Sequence, residues 1–289
     1  MADYIILTES TCDLSAQMAD EFELEVVRLH VLLDGHDYEH YLDARELSFK
    51  DMYDSMRNKK LPTTSQVNTD TFLKTMEPIL QSGKDILYIG FSGPMSGTLN
   101  SGRLAAEELL EKYPERKIEI VDSLAASLGE GLLVYICAKN REKGMSIEDN
   151  KKYCEACVPH LTHCFTVDDL MHVCRGGRAT KSAALIGSVL GIKPVMIVND
   201  DGLMDPLMKV RGRKAALKKI VELVAENLDS KDLPIFVGHG DCLEEAEEFA
   251  KMLKEATGVE NIYINMLGAI CGCHAGPGIL GAFYYGKKR

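Results

Sequence analysis

The chain has 289 residues, 46% of them hydrophobic, and a formal net charge of −11. That length predicts about two domains, and the apolar share supports substantial cores, which excludes a disordered chain. The acidic excess argues against nucleic-acid binding and against stable adsorption to anionic membranes, since both need Lys and Arg to neutralise phosphate or lipid charge; at most it allows transient membrane contact.

YIILT (4–8) is a short run of strand formers, followed by the turn-prone ESTCDLS. EVVRLHVLLDG (25–35) reads as one further strand ending in Asp-Gly. ELSFKDMYDSMRNK (46–59) has helical spacing, with Phe49, Met52, Tyr53 and Met56 on one face. Pro62 ends that helix, PTTSQ (62–66) follows as a loop between helices, and Thr69 or Asp70 is placed to cap the next one. DILYIGF (85–91) is a fully apolar strand, and TLNSGRLAAEELLEKY behind it is a helix. KIEIVDS (117–123) alternates as a strand does, and SLGEGLLVYICAKNREKG (127–144) is an apolar, buried helix. This alternation predicts an open, mostly parallel α/β sheet domain.

The second half reads differently. THCFTVD (162–168), KPVMIVNDDGLMDPLMKV (193–210), LPIFVGHG (233–240) and NIYINMLGA (261–269) are strand candidates, with a hairpin signal in Asn199–Gly202. RGRKAALKKIVELVAENL (211–228) and CLEEAEEFAKMLKEATG (242–258) are amphipathic helices. An α+β layered domain with a mainly antiparallel sheet is expected. The division is expected within the loop-like CVPHLTH, giving domains at 1–160 and 161–289.

The N-terminus lacks the basic start and long apolar stretch of a secretory signal. AALIGSVLGI (183–192) is too short for the ~20 apolar residues of a bilayer span. Nine cysteines, an odd number in a chain too large to need staples, read as reduced thiols of a cytoplasmic protein.

Chemistry-bearing residues concentrate in a few loops. FSGPMSGTLNS (91–101) ends a strand and opens a helix. It lacks the lysine of a phosphate-binding GxxxxGK[ST] loop. No glycine follows Ser96 by two positions, so it is not a GxSxG nucleophile elbow either. Hydroxyls and unpaired N–H groups at a helix start suit a carboxylate or another small anion. Ser96 or Thr98 acting as a plain helix cap fits equally well. PTTSQ supplies three more consecutive hydroxyls. Cys154, Cys157, His160, His163 and Cys164 have metal-ligand chemistry, but zinc modules separate two ligand pairs by a dozen or more residues, and no metal or cofactor is expected. ICGCHAGPG (270–278) suggests a tight loop that brings His274 close to something. RGGR (175–178) and KVRGRKAALKK (209–219) are basic stretches in an acidic chain, read as a solvated face or a docking surface for an acidic partner.

Taken together and in this order, the loops resemble the DegV family of bacterial fatty-acid-binding proteins. The matching stretches are ESTCDL, PTTSQ, FSGPMSGTLNS, VDS with SLGEG, FTVDDLMHVCRGGR, IKPVMIVNDDGLMDPLMKVRGR and GAICGCHAGPGILGAFYYG, colinear over nearly the whole chain. Departures are mild: Glu9 stands where the family usually has Asp, Met95 where Leu is common, and Val173-Cys174-Arg175 replaces an apolar-lysine stretch before GGR.

The resemblance implies one long-chain fatty acid, such as palmitate, stearate or oleate, in a tunnel between two domains. It places Thr64 and Ser96 on the carboxyl group and Arg178 and His274 behind them as a polar network. The N–H groups near Ser65 and Gly97 would be further donors, and the C-terminal domain would cover the acyl chain. It also implies a partner, an ATP-dependent fatty acid kinase that makes an acyl phosphate. On this carrier reading Arg211 and Arg213 of the basic stretch are the expected docking residues, and a monomer is the default expectation. The competing reading is a serine-dependent acyl hydrolase or transferase with Ser96 as nucleophile and His274 as base, without an evident third member.

Overall fold

The computed structural model describes residues 4–180 and 191–289. The first half contains β1 (Tyr4–Glu9), α1 (Ala16–Glu21), β2 (Glu25–Val27), β3 (His30–Leu33), β4 (His36–Glu39), α2 (Phe49–Arg57), β5 (Thr63–Ser65), α3 (Thr69–Gln81), β6 (Asp85–Gly90), α4 (Thr98–Lys112), β7 (Ile118–Asp122) and α5 (Leu128–Glu142). The second continues with α6 (Ile147–Cys157), β8 (Leu161–Thr166), α7 (Leu170–Arg175), β9 (Ile192–Val198), β10 (Met204–Arg211), α8 (Arg213–Asn227), β11 (Ile235–His239), α9 (Leu243–Thr257), β12 (Ile262–Met266), α10 (Ala269–Ala275) and β13 (Leu280–Tyr285). The apolar stretch at 183–192 lies almost wholly outside the described residues.

Strands β2-β1-β6-β7 form a parallel sheet in that order. Its central strands are apolar on both faces because both are covered. Leu7, Ile86 and Tyr88 pack against Phe72, Met76 and Leu99 of α3 and α4. Their neighbours Ile6, Leu87 and Ile89 point the other way, onto Leu132, Leu133 and Ile136 of α5. The second sheet, in order β10-β9-β8-β13-β11-β12, is antiparallel except for the parallel β11–β12 pair. Cys164, Leu280 and Ala282 send one face onto α8 and α9, through Ile220, Val224, Phe249 and Leu253. Phe236 and Phe283 send the other onto α5. Helix α5 is thus enclosed between the two sheets, which is why its sequence is apolar all round. The fold is mixed α/β, one parallel and one mostly antiparallel sheet, as expected.

Several expectations fail locally. The 25–35 stretch is two strands rather than one: β2 ends in the parallel sheet, and β3 joins a small antiparallel sheet, β4-β3-β5. PTTSQ is not a loop, because Thr63–Ser65 pairs with β3, Val31 opposite Thr64. Asn68, not Thr69 or Asp70, caps α3, its side-chain oxygen accepting the Thr71 N–H at 2.9 Å. The 269–275 stretch is a helix instead of a tight loop; the glycine-dependent turn comes after it, where Gly276 and Gly278 take φ of 83° and 77°. CVPHLTH is ordered too, running from the end of α6 through a 3-10 turn into β8. We keep the division at residue 160 as a proposal, since the parallel sheet draws its strands from before that point and the six-stranded sheet from after it.

Candidate functional site

A cavity of about 520 Å³ lies between the two halves, within the ~300–1,000 Å³ range of small-ligand sites. The first half contributes β5 with Gln66 behind it, the loop Phe91–Gly97, Thr11 and the Ala126-Ser127 turn; the second contributes His163 and Phe165 of β8, Val198, Met204 and one side of α10.

One end of this cavity is polar. Thr64 Oγ1 lies 2.8 Å from His274 Nε2, joining β5 to the last turn of α10. Burial, aided by the positive charge of Arg178, pushes the His274 pKa down to about 4, so the imidazole is neutral at physiological pH. Arg178 donates from Nε to the Met95 carbonyl at 3.2 Å and from Nη1 to that of Gly176. This fixes the guanidinium beside the 91–97 loop. Ser96 Oγ donates to Thr98 Oγ1 at 3.0 Å and accepts the Thr98 N–H at 3.2 Å. Gly97 holds the N-cap position of α4 without a side-chain cap, so neither hydroxyl is the N-cap; Ser96 meets the N–H of the first helical residue from one position earlier. Thr98 instead accepts the Val67 N–H at 3.3 Å and ties the segment after β5 to the start of α4. Ser65 and Gly97 also line the cavity, and Gly97 is pressed against Gln66: a Cβ there would lie 2.2 Å from Gln66 Oε1.

The 91–97 loop is held from both halves. Ser92 Oγ donates to the Gly202 carbonyl in the β9–β10 turn at 2.7 Å, and the Gly93 N–H donates to Asp122 at 3.2 Å. Beyond the polar end the wall is mostly apolar, with Phe91, Met95, Phe165, Met204, Leu267 and Ile270 among its members and Thr11, Ser127 and His163 as polar ones.

His163, weighed in the sequence only as a metal ligand, lies in the cavity wall. Its Nε2 accepts the Ala126 N–H at 3.1 Å, and burial pushes its pKa down to about 3. Thr11 and Ser127 of the same wall contact three buried carboxyls. Thr11 donates to Glu130 at 2.9 Å and lies 3.4 Å from Glu9; Ser127 donates to Asp13 at 2.5 Å. Burial pushes Glu9 and Asp13 up to about 7 and Glu130 well above the usual carboxyl range. Of the remaining Cys/His cluster, Cys154 and Cys157 are buried in the α5–α6 core and His160 Nδ1 lies 2.9 Å from the Gly286 carbonyl. Among the described residues no group of three or more His, Cys, Asp or Glu side chains is placed to hold a metal ion.

The two expected docking arginines differ. Arg213 is engaged inside the fold, with Nε donating to Glu245 at 2.8 Å and Nη1 to Asp168 at 3.1 Å, so its charge is already matched. Arg211, at the end of β10, is exposed.

The sequence profile of the DegV family, described as uncharacterised proteins, matches residues 4–287. The chain belongs to the DegV family. A DegV domain-containing protein of Clostridium perfringens is 41% identical over 290 residues, covering 100% of this chain and 99% of the relative. Among solved structures, a DegV family protein from Thermus thermophilus described by its fatty acid binding aligns at TM-score 0.85 and 29% identity, over 98% of this chain and 99% of that one. DegV from Bacillus subtilis, described as a fatty acid binding protein, aligns at TM-score 0.85 and 28% identity, over 99% and 100%. In this DegV chain, three of the stretches that carry the resemblance, PTTSQ, FSGPMSGTLNS and GAICGCHAGPG, are those that meet at the polar end of the cavity. No helix among the described residues is long and apolar enough to cross a membrane.

Proposed function

We propose that this chain binds one long-chain fatty acid in the cavity between its sheets. Thr64 and Ser96 hold the carboxyl group, Ser96 turning its single proton from Thr98 Oγ1 to the carboxylate; Arg178 and His274 support them, and the N–H groups of Ser65 and Gly97 are further donors. The observation that carries this reading is the cavity's polarity: hydroxyls, an imidazole and a guanidinium gathered at one end and a mostly apolar wall beyond them. Both solved relatives described above bind fatty acids.

Burying about fifteen methylenes is worth roughly 12 kcal/mol gross at ~0.8 kcal/mol each, and association costs remove a large part of that. The head group then has to be oriented more than gripped, which neutral donors do. With Nε2–H of neutral His274 donating to Thr64 Oγ1, the threonine proton is free to donate to the carboxylate. The protein serves as a cytoplasmic, monomeric carrier in which residues 161–289 cover the acyl chain. It presents the carboxyl group to a separate fatty acid kinase, with Arg211 in the docking surface. There the carboxylate oxygen takes the terminal phosphoryl group of ATP and ADP leaves.

The hydrolase reading finds no support in the geometry, since His274 meets Thr64 and Ser96 meets Thr98. Ser96 is accordingly expected not to react with a fluorophosphonate probe. Native mass spectrometry of protein purified from bacterial cells tests the carrier reading: one co-purifying fatty acid is expected. A clean apo spectrum with no uptake of added oleate or palmitate overturns it.

A further inference from the structure

A separate cavity, of about 310 Å³, lies where the turn between β1 and α1 and the segment between β4 and α2 meet the end of β12. It shares no lining residue with the first cavity. Leu14, Leu42, Phe49 and Met266 give it apolar walls, and it reaches solvent at the exposed Asp43. His40 also lines it and is only 3% exposed, its ring against that of Phe49 with centroids 5.3 Å apart. The His40 Nε2 accepts the Ala269 N–H at 3.1 Å, and burial pushes its pKa down to about 3. The neutral ring therefore carries its proton on Nδ1. That Nδ1–H is buried and meets no acceptor among the described residues. A buried donor without a partner bears an uncompensated desolvation cost, which an acceptor brought by a ligand removes.

Asn265, in the same wall, supplies the complementary group. A backbone carbonyl only accepts, so the side-chain nitrogen is the atom 2.9 Å from the Asp13 carbonyl, and Oδ1 is left without a donor among the described residues. The two carboxyl groups of the wall are already engaged. Asp43 accepts from Arg45 Nε at 2.8 Å, and Asp13 accepts the Gly268 N–H at 3.0 Å and the Ser127 hydroxyl at 2.5 Å. The cavity thus offers one donor and one acceptor beside apolar walls, with no unmatched charge.

We propose that this cavity is a second ligand site, taking a small, flat, neutral molecule that presents a carbonyl beside an N–H, as a carboxamide or lactam does. The carbonyl accepts from His40 Nδ1, the N–H donates to Asn265 Oδ1, and the body of the ligand lies among Leu14, Leu42 and Phe49. A carboxylate is rejected, because it has no proton for Asn265 and would lie near Asp13 and Asp43. An ammonium is rejected too, having no acceptor for His40. The site stands independently of the fatty-acid reading.

Calorimetry and ligand-observed NMR on the full chain at pH 7.5 test it, with nicotinamide as the probe and nicotinate and 3-acetylpyridine, which lack the N–H, as comparisons. Nicotinamide should bind saturably with Kd below about 1 mM, and the other two at least about fivefold more weakly. Ala16→Leu adds bulk to the cavity wall without removing a side-chain hydrogen bond, and should weaken nicotinamide at least about tenfold. His40→Phe removes the donor and should erase the preference for nicotinamide over 3-acetylpyridine; Ala16→Leu decides the matter should that variant fail to fold. Absence of saturable nicotinamide binding, equal binding of the three compounds, unchanged binding in Ala16→Leu, or a preference that survives His40→Phe overturns the site.

Discussion

Replacing Thr64 by valine tests the carboxyl seat with little disturbance of shape. Valine keeps the branched Cβ that suits a strand, so the pairing of Val31 with residue 64 should survive. What disappears is the hydroxyl 2.8 Å from His274 Nε2. The fatty acid loses a donor to a charged acceptor, worth about 1.5–3 kcal/mol. His274 cannot compensate by taking a proton, because burial and Arg178 already hold its pKa at about 4. The acyl chain's burial is untouched, so binding weakens without being abolished: Kd should rise by about 10- to 150-fold. Thr64→Ser should stay within a fewfold of wild type. Displacement of a fluorescent fatty acid at pH 7.5, with melting temperatures recorded alongside, gives the answer. A Thr64→Val protein with wild-type Kd and unchanged melting would place the carboxyl group elsewhere and refute the reasoning.

Glu9 is raised to about 7 in the fold by burial, so its stabilising contribution is complete below the unfolded carboxyl value and is lost as pH rises through about 7. Glu9→Gln should melt higher than wild type at pH 8, by up to roughly 3 kcal/mol, and flatten the pH dependence between 5 and 7; a wild-type slope in the variant counts against it. A Cβ at Gly281 would lie 2.3 Å from Phe165 Cβ across the β13–β8 pair, so Gly281→Ala should lower the denaturant midpoint by about 1–3 kcal/mol of stability, and an unchanged midpoint refutes the close approach. Arg211→Glu should slow kinase-dependent acyl-phosphate formation while leaving oleate affinity unchanged; equal loss of both removes Arg211 from the docking surface.

Much of the fold was legible because burial on both faces writes itself as an unbroken apolar run, as in DILYIGF and in α5. What was not legible is pairing at long range. Thr63–Ser65 is three polar residues after a proline and becomes a strand only because β3 lies beside it. LGAFYY is not among the expected strands, yet β13 sits between β8 and β11, and that position depends on partners such as Phe165, 116 residues away from Gly281. Thr64 and His274 are 210 residues apart. No spacing rule joins them, and the family resemblance alone put them in one site. His163 has a usable signal in the sequence: alternation through His163, Phe165 and Val167 sets it on the same face as two apolar residues, toward the cavity and away from Cys164.

The division of labour at the site follows from these placements. In the proposed site the acyl wall is distributed over both halves of the chain, whereas the polar head-group residues sit on β5, just before α4, in the last turn of α10 and just after α7, each held in place: Thr64 by its strand pairing, Ser96 by the Thr98 N–H, His274 by Thr64, and Arg178 by two carbonyls. Rigid donors of this kind set where the carboxyl group points without adding a strong ion pair that would resist release. The larger share of the affinity then comes from the chain length. Each methylene that finds apolar wall adds ~0.8 kcal/mol, about fourfold in Kd, until the cavity is full. Head-group substitutions and acyl-length changes should therefore contribute independently to binding, because they act at opposite ends of one cavity and share no side chain.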